Sequence, residues 1–167
     1  MIQKKICMLG AAAVGKTSLV ARYVRSIFSE NYHSTIGVKI DKKSLDYHGR
    51  LVNLILWDLY GEDQNQQIQS SYLRGASGYF LIIDGMRPET LHMAQNLQTR
   101  IEVAIGKLPF IALINKADLK DSWLIKAQDL ASLQAAGWYF LETSAKSGEG
   151  VEEAFYQLTD KMLNIPV

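Results

Sequence analysis

Gly10, Gly15, Lys16 and Thr17 stand in the order G-x-x-x-x-G-K-T, between the apolar run Ile6-Cys7-Met8-Leu9 and a helix-forming stretch from Ser18 to Arg25. A strand, a glycine-rich turn and a helix in that order form a loop that can hold a chain of phosphates. The glycines let the backbone curl so that successive N–H groups point inward as an anion nest. The helix that starts near Gly15 adds the positive end of its dipole. Lys16 brings a point charge to the terminal phosphates, and the Thr17 hydroxyl is placed to ligate Mg2+. A chance glycine turn with a stray lysine would not explain both flanks.

Asn115-Lys116-Ala117-Asp118 follows the apolar run Phe110–Ile114. A carboxylate at Asp118 can accept two hydrogen bonds from guanine, one from the ring N–H and one from the exocyclic amine. Adenine offers neither donor there and would leave a desolvated charge unpaired, at a cost of roughly 1–3 kcal/mol or more. The Lys116 stem can lie across the base plane, and Asn115 can tie this loop to the phosphate loop. Thr143-Ser144-Ala145-Lys146, after the last strand-like run, supplies a backbone N–H at Ala145 for the base carbonyl.

These loops need a scaffold that brings them to one edge. After the first helix, with its apolar stripe Leu19, Val20, Tyr23 and Val24, comes a polar segment, Ser26 to Gly37. Strand-like runs Val38–Tyr47 and Leu51–Asp58 follow, separated by His48-Gly49-Arg50, a turn short enough for a hairpin. Leu59 to Arg74 is polar and Gln-rich, and Gly78–Asp84 is apolar enough for a strand buried on both faces. A helix is expected from Pro88, carrying Leu91, Ala94, Gln98, Ile101 and Ile105 at helical steps. The strand Phe110–Ile114 comes next, then a helix capped at Asp121 or Ser122 and running to about Ala136. Trp138–Glu142 is expected as the last strand, and Val151, Ala154, Phe155, Leu158 and Met162 mark one face of the last helix. Strands alternating with helices imply an α/β fold: a mostly parallel six-stranded sheet, one antiparallel strand at 38–47, and helices on both faces. Ligands of such sheets gather at the carboxyl ends of the strands, where every motif above falls.

The 167 residues are one domain's worth, read as a single nucleotide-binding domain over 1–167. With 48% hydrophobic and 21% charged residues and a net charge of +1, no basic field points to nucleic acid or an anionic membrane. Cys7 is the only cysteine and sits in the first apolar run, so it reads as a small core residue of a protein from a reducing compartment. His33, His48 and His92 have no ligand spacing for zinc. No apolar stretch approaches the roughly 18 residues of a membrane span. The first residues lack the layout of a secretion signal, and neither end carries a lipidation motif. The expectation is a cytoplasmic monomer without an intrinsic membrane anchor.

With these motifs in place the chain resembles the Ras superfamily of small GTPases, its Rab and Ras branches most closely. The likeness runs from residue 4 to 163. It includes Gly10–Thr17, Thr35-Ile36-Gly37, Asp58-x-x-Gly61, Asn115–Asp118 and Glu142-Thr143-Ser144-Ala145-Lys146, in that order. Tyr72-Leu73-Arg74-Gly75-Ala76 and Val151-Glu152-Glu153-Ala154-Phe155 look Rab-like. The resemblance implies a GTP/GDP-dependent switch that hydrolyses GTP. Its nucleotide contacts would come from Gly10, Ala13, Val14, Gly15, Lys16, Thr17 and Ser18, and from Asn115, Lys116, Asp118, Ser144, Ala145 and Lys146. It implies that Thr17 and Thr35 ligate Mg2+, Thr35 only while a γ-phosphate is present, and that Asp58 holds the metal through water. Gly61 would donate its N–H to the γ-phosphate, Phe28 would pack on the guanine edge, and Tyr32 would cover the phosphates. Lys16, Thr35, Gly61 and Glu62 would form the hydrolytic centre. Residues 26–40 and 59–74 would present the nucleotide-dependent surface to effectors, exchange factors and GTPase-activating proteins.

The second switch departs from the family's D-T-A-G-Q-E, reading Asp58-Leu59-Tyr60-Gly61-Glu62-Asp63. Glu62 stands where a glutamine orients the attacking water. An ionised carboxylate only accepts hydrogen bonds, and it adds negative charge beside an anionic transition state. Tyr60 replaces a small alanine and is expected to crowd the γ-phosphate or force the segment along another path. The methyl of Ala12 narrows the approach of an arginine supplied by a partner. Slow hydrolysis is therefore expected, and the competing function is a GTP-binding interaction module that seldom or never hydrolyses. An ATPase or nucleotide kinase conflicts with Asp118 and lacks a lid. Rab and Ras relatives end in a cysteine-bearing tail, whereas this sequence stops close to its last helix; a trimmed tail and a soluble prokaryotic-type relative both fit that.

Overall fold

The computed structural model describes residues 1–29, 37–62 and 67–164. The chain opens with β1 (Ile2–Gly10) and α1 (Lys16–Arg25), followed by the hairpin of β2 (Val38–Tyr47) and β3 (Arg50–Leu59). A 3₁₀ turn at Ser70–Leu73 leads into β4 (Gly78–Asp84), α2 (Glu89–Ile105) and β5 (Phe110–Asn115). A second 3₁₀ turn at Ala117–Ser122 precedes α3 (Ala127–Ala135), β6 (Phe140–Thr143) and α4 (Val151–Leu163). The strands form one six-stranded sheet in the order β2-β3-β1-β4-β5-β6. Only β2 runs antiparallel to its neighbour, as expected.

The hairpin turn is tighter than the sequence suggested. His48 and Gly49 alone make it, both at positive φ (50° and 79°), and Arg50 already pairs with Tyr47. That is the two-residue turn whose twist matches the strands. Asp46 accepts from the Gly49 N–H at 2.8 Å and fixes it.

Two apolar layers flank the sheet. One packs Leu19, Val20 and Tyr23 of α1 and Phe155, Leu158 and Met162 of α4 against Leu54, Leu56, Phe80 and Ile82. The other packs Leu91, Ala94, Leu97 and Ile101 of α2 against Leu9, Tyr79, Leu81 and Ile83, with Cys7 among them. β4 alternates between the layers, which is why every one of its residues is buried and its sequence is an unbroken apolar run. Burial pushes the Cys7 thiol up to about 11, so it stays protonated and inert. Among the described residues no helix is long and apolar enough to cross a membrane.

The sequence misplaces one helix and one strand. The helix expected from Asp121 or Ser122 starts only at Ala127, because the intervening segment is held elsewhere. The N–H groups of Leu124 and Ile125 both donate to the Gly85 carbonyl, at 3.0 and 3.2 Å, and Trp123 and Ile125 are buried. Its cap is reciprocal to the one expected: Asp129 reaches back to the Lys126 N–H at 2.7 Å. Trp138 donates its N–H to Leu133 at 2.9 Å and finishes α3, so the last strand begins at Phe140 rather than Trp138.

The parallel register brings the carboxyl ends of β3, β1, β4, β5 and β6 to one edge. Met8 pairs with Asp58, Gly10 with Ile82, Asp84 with Asn115, and Asn115 with Thr143. Phe155 anchors the layer of α1 and α4, fully buried, stacked on Tyr23 at 3.8 Å between ring centroids and edge-on to Phe80 at 4.9 Å. Phe155→Ala is expected to destabilise the protein by about 3–5 kcal/mol in equilibrium denaturation at one fixed nucleotide concentration. A loss below about 1 kcal/mol would mean that the two aromatic contacts do not hold this layer together.

Candidate nucleotide-binding site

The phosphate cradle starts where β1 ends. Gly15, the residue before α1, has φ 106°, and a Cβ there would lie 2.3 Å from Asn115 Nδ2. Backbone conformation and close approach both demand glycine. Ala13 is also left-handed, at φ 62° despite its methyl group, so part of the loop is held under strain. Lys16 folds back into this loop with only 5% of its surface exposed. Its Nζ donates to the carbonyls of Ala11 at 2.8 Å and Gly10 at 3.4 Å. Burial lowers its pKa from 10.5 to about 8; the Asp58 and Glu62 carboxylates oppose the shift and the Arg87 cation adds to it. Val14 is buried, while Ser18 on the first turn of α1 is half-buried.

Beside the cradle, Thr17 Oγ1 donates to Asp58 Oδ2 at 2.6 Å. Asp58 is buried, and its Oδ1 has no hydrogen-bond partner. Burial raises its pKa, while the Thr17 bond and the Lys16 and Lys39 charges hold it down. A hydroxyl and a buried carboxylate with an orphaned oxygen are hard donors, a set that fits Mg2+. Thr35 and Tyr32 lie outside the described residues.

The base side is tied together by side chains. Asn115 Nδ2 donates to Val14 O at 3.0 Å, the link to the phosphate loop that the sequence suggested, and its Oδ1 accepts from Thr143 Oγ1 at 3.3 Å. Lys116 takes φ 73°, and its Nζ sits 2.7 Å from Oδ2 of the buried Asp84. Trp123 Nε1 donates to Lys116 O at 2.8 Å. Asp118 is exposed at this rim and accepts from Ser144 Oγ at 2.8 Å. Ser144 and Ala145 are buried below it and Lys146 is exposed. Arg22 of α1 crosses to this loop, donating from Nε to Ala145 O at 2.7 Å and from Nη2 to Lys146 O. Phe28 is half-buried and packs against the layer beneath α1 and α4.

The second switch starts differently from the pattern that the resemblance implies. Gly61 and Glu62 lie along the phosphate loop as a short parallel bridge: Glu62 N–H donates to Gly10 O and Ala12 N–H to Glu62 O, both at 3.1 Å. A Cβ on Gly61 would be 2.3 Å from Ala12 Cα. The Glu62 side chain is not poised to orient a water. It is buried and ion-paired with Arg100 Nη2 of α2, at 2.5 Å to Oε2 and closer to Oε1. Tyr60 takes the second of its two expected courses and turns into the protein. Its hydroxyl donates to Gln67 O at 2.8 Å and accepts from Gln69 N at 3.2 Å, and its ring meets Tyr72 edge-on at 6.2 Å. Arg87, at the start of the α2 turn, donates to Ala12 O at 3.0 Å.

Sequence reasoning missed Arg22, Asp84, Arg87, Arg100 and Trp123. Asp84 had a signal, a carboxylate closing an apolar strand at the ligand-binding edge. The arginines and Trp123 had none, because their partners are backbone carbonyls or residues far away in the chain.

The Ras family model matches residues 5–164. The chain is 34% identical over 166 residues to the Ras-related protein RABA5a of Arabidopsis thaliana, covering 96% of this chain and 74% of that protein. It is 31% identical over 163 residues to the Ras-related protein Rab11D of Nicotiana tabacum, covering 96% and 73%. It is 32% identical over 158 residues to the GTP-binding protein Rab-3D of Rattus norvegicus, covering 93% and 72%.

Lys16 makes the site pH-sensitive. Folded, ligand-free protein binds fewer protons here than the unfolded chain, so its stability is expected to rise as pH climbs from about 8 toward 10.5. Phosphate binding acts in the opposite sense, because it favours the charged amine. At about pH 8.5 nucleotide binding is expected to take up a sizeable fraction of a proton, and at about pH 7 almost none from Lys16. Calorimetry in two buffers of different ionisation enthalpy reads the difference. Equal uptake at both pH values would place the Lys16 pKa elsewhere.

Proposed function

The chain belongs to the Ras family, and on that footing we propose that it is a guanine-nucleotide switch that hydrolyses GTP slowly. Members of this family bind guanine nucleotide, generally with Mg2+, and hydrolyse GTP. The observation that supports nucleotide binding at this loop is the cradle around Lys16. Its ammonium rests on the Gly10 and Ala11 carbonyls at the mouth of a loop whose flanking strand and helix are both in place. Inward N–H groups of this loop and the α1 dipole hold the phosphate chain. Thr17 would ligate Mg2+ and Asp58 would hold it through water; the ion would neutralise charge on the terminal phosphates.

Guanine specificity rests on the Asp118 carboxylate, which Ser144 orients, beside the loop that Arg22 pins. Asp118→Ala is expected to weaken GDP binding and to narrow the preference over ADP by roughly 1–3 kcal/mol, measured by competition with a fluorescent nucleotide. An unchanged preference would move base recognition away from this residue.

Hydrolysis adds water across the terminal phosphoryl bond and releases GDP and phosphate. Its rate depends on positioning and on stabilising negative charge. Glu62 serves neither end: it accepts without donating, and its charge is engaged by Arg100. Single-turnover hydrolysis is expected to fall below the roughly 10⁻⁴ s⁻¹ that Ras manages unaided. Glu62→Gln is expected to raise the rate by restoring a donor. A wild-type rate at or above that figure would reject the impaired-switch reading, and an unmoved variant would assign the fault to the path set by Tyr60. The second reading, an interaction module that holds GTP without turnover, rests on the same lack of a water-orienting side chain at Glu62. GTP rather than GDP in the purified protein would support it. In either case, residues 26–40 and 59–74 are the surface that would meet effectors and regulators.

A further inference from the structure

Glu62 and Arg100 are far apart in the sequence, and neither phosphate cradling nor base recognition requires them to meet. Their pairing has a geometric consequence for the ligand. The strip Gly61-Glu62 continues from β3 across residues 10–12 of the phosphate loop, using the Gly10 carbonyl and the Ala12 N–H. Lys16 Nζ, the group that serves the terminal phosphates, lies on the same Gly10 carbonyl. Gly61 is pressed so closely on Ala12 that not even a methyl group fits between them. A phosphate added at the Lys16 end of the chain therefore competes with this strip for space. A diphosphate, held by the loop at 13–18 and by the base contacts, leaves the strip alone.

The strip stays down because its carboxylate is neutralised. The Glu62 side chain is only 6% exposed, whereas that of Arg100 is 42% exposed. A carboxylate that deeply buried is tolerated when paired and strongly disfavoured when its partner is removed. Two anchors limit where the strip can go once released: the Tyr60 N–H bond to Gly37 O at 3.1 Å, and the Tyr60 hydroxyl on residues 67 and 69. Beside the pair lies a cavity of about 510 Å³ lined by Gly10, Ala11, Gln67, Met93 and Leu97, so the side chains have room to part without unpacking α2.

We propose that Arg100 is a specificity-determining residue: by holding Glu62, it latches the second switch onto the phosphate loop and sets a preference for GDP over GTP. This rests on the reading of the site as a guanine-nucleotide site and adds the residue that grades its two ligands. The latch also accounts for an acidic residue at position 62, since a glutamine could not form the ion pair.

The test measures dissociation constants of the full chain, stripped of nucleotide and supplied with Mg2+, for GDP and for a non-hydrolysable GTP analogue. The wild type is expected to bind GDP at least about tenfold more tightly than the analogue. Arg100→Gln is expected to narrow that ratio by roughly fivefold or more through tighter analogue binding, with GDP affinity kept within about twofold. Glu62→Gln should act in the same way, Arg100→Lys should retain most of the preference, and the double variant should add little to either single one. Amide exchange at Ala12 and Glu62 in the GDP-bound state should quicken in Arg100→Gln. An unchanged ratio and unchanged exchange would overturn the latch, as would both affinities falling together, which is what a merely structural role would give. Failure of the wild type to bind either nucleotide would overturn the site reading, and the latch with it.

Discussion

Lys16 carries a charge that the fold almost completely buries, and the carboxyl edge of the sheet is organised around that cost. A buried ammonium is unfavourable unless oxygen atoms replace its water. Here the Gly10 and Ala11 carbonyls do so, because β1 ends at Gly10 and the loop turns back over the side chain. Asp58 and Glu62 add negative charge nearby, and Arg87 opposes them. The compensation is partial, as the lowered pKa records. On the proposed reading, a cation so placed, between the end of β1 and the start of α1, would favour an anion such as phosphate beside it.

The same edge needs glycine at two places, one in the phosphate loop and one in the second switch, and strain at a third. Gly15 admits Asn115, which fastens the base loop to the phosphate loop through Val14. Gly61 lets the second switch lie flat on Ala12. Ala13 takes a left-handed backbone without being glycine, a local cost that the surrounding bonds sustain. Arg87 contributes by bonding the Ala12 carbonyl, which fixes the peptide leading into Ala13 from the outer side of the loop.

Much of this was legible in the chain because it is local. The succession of strands and helices along the chain and the faces of α1, α2 and α4 follow from apolar periodicity, and the single antiparallel strand from a short hairpin turn, all of which depend on neighbours a few residues apart. The phosphate loop and the Asn115–Asp118 and Ser144–Lys146 loops were readable because fixed spacing carries their chemistry. What was missed depends on distant partners. The start of α3 moved to Ala127 because Gly85, some forty residues earlier, binds the chain at Leu124 and Ile125. Glu62 was recognisable as an oddity, but its partner Arg100 sits on the exposed side of a helix whose sequence pattern marks only its buried face. Tyr60 presented two courses on sterics alone, and the residues that decided between them, Gln67, Gln69 and Tyr72, lie in a segment without periodicity.

The two ends of the site are held by different kinds of contact, and the difference bears on what each can sense. At the base end, Asn115, Thr143, Ser144 and Arg22 bond loops that grow directly from β5, β6 and α1, so the pocket inherits the stiffness of the sheet. At the phosphate end, a strip leaving β3 is held by two backbone bonds and one ion pair to a partly exposed arginine. Such contacts are broken more readily than strand-anchored ones, and on the proposed reading the event that breaks them is the arrival of charge and volume beside Lys16. A rigid base pocket next to a displaceable strip divides recognition into two tasks. On the proposed reading, identity of the base would be read where side-chain bonds tie the loops to the sheet. Length of the phosphate chain would be read where the ligand has to displace protein to bind, so that a difference in length becomes a difference in conformation.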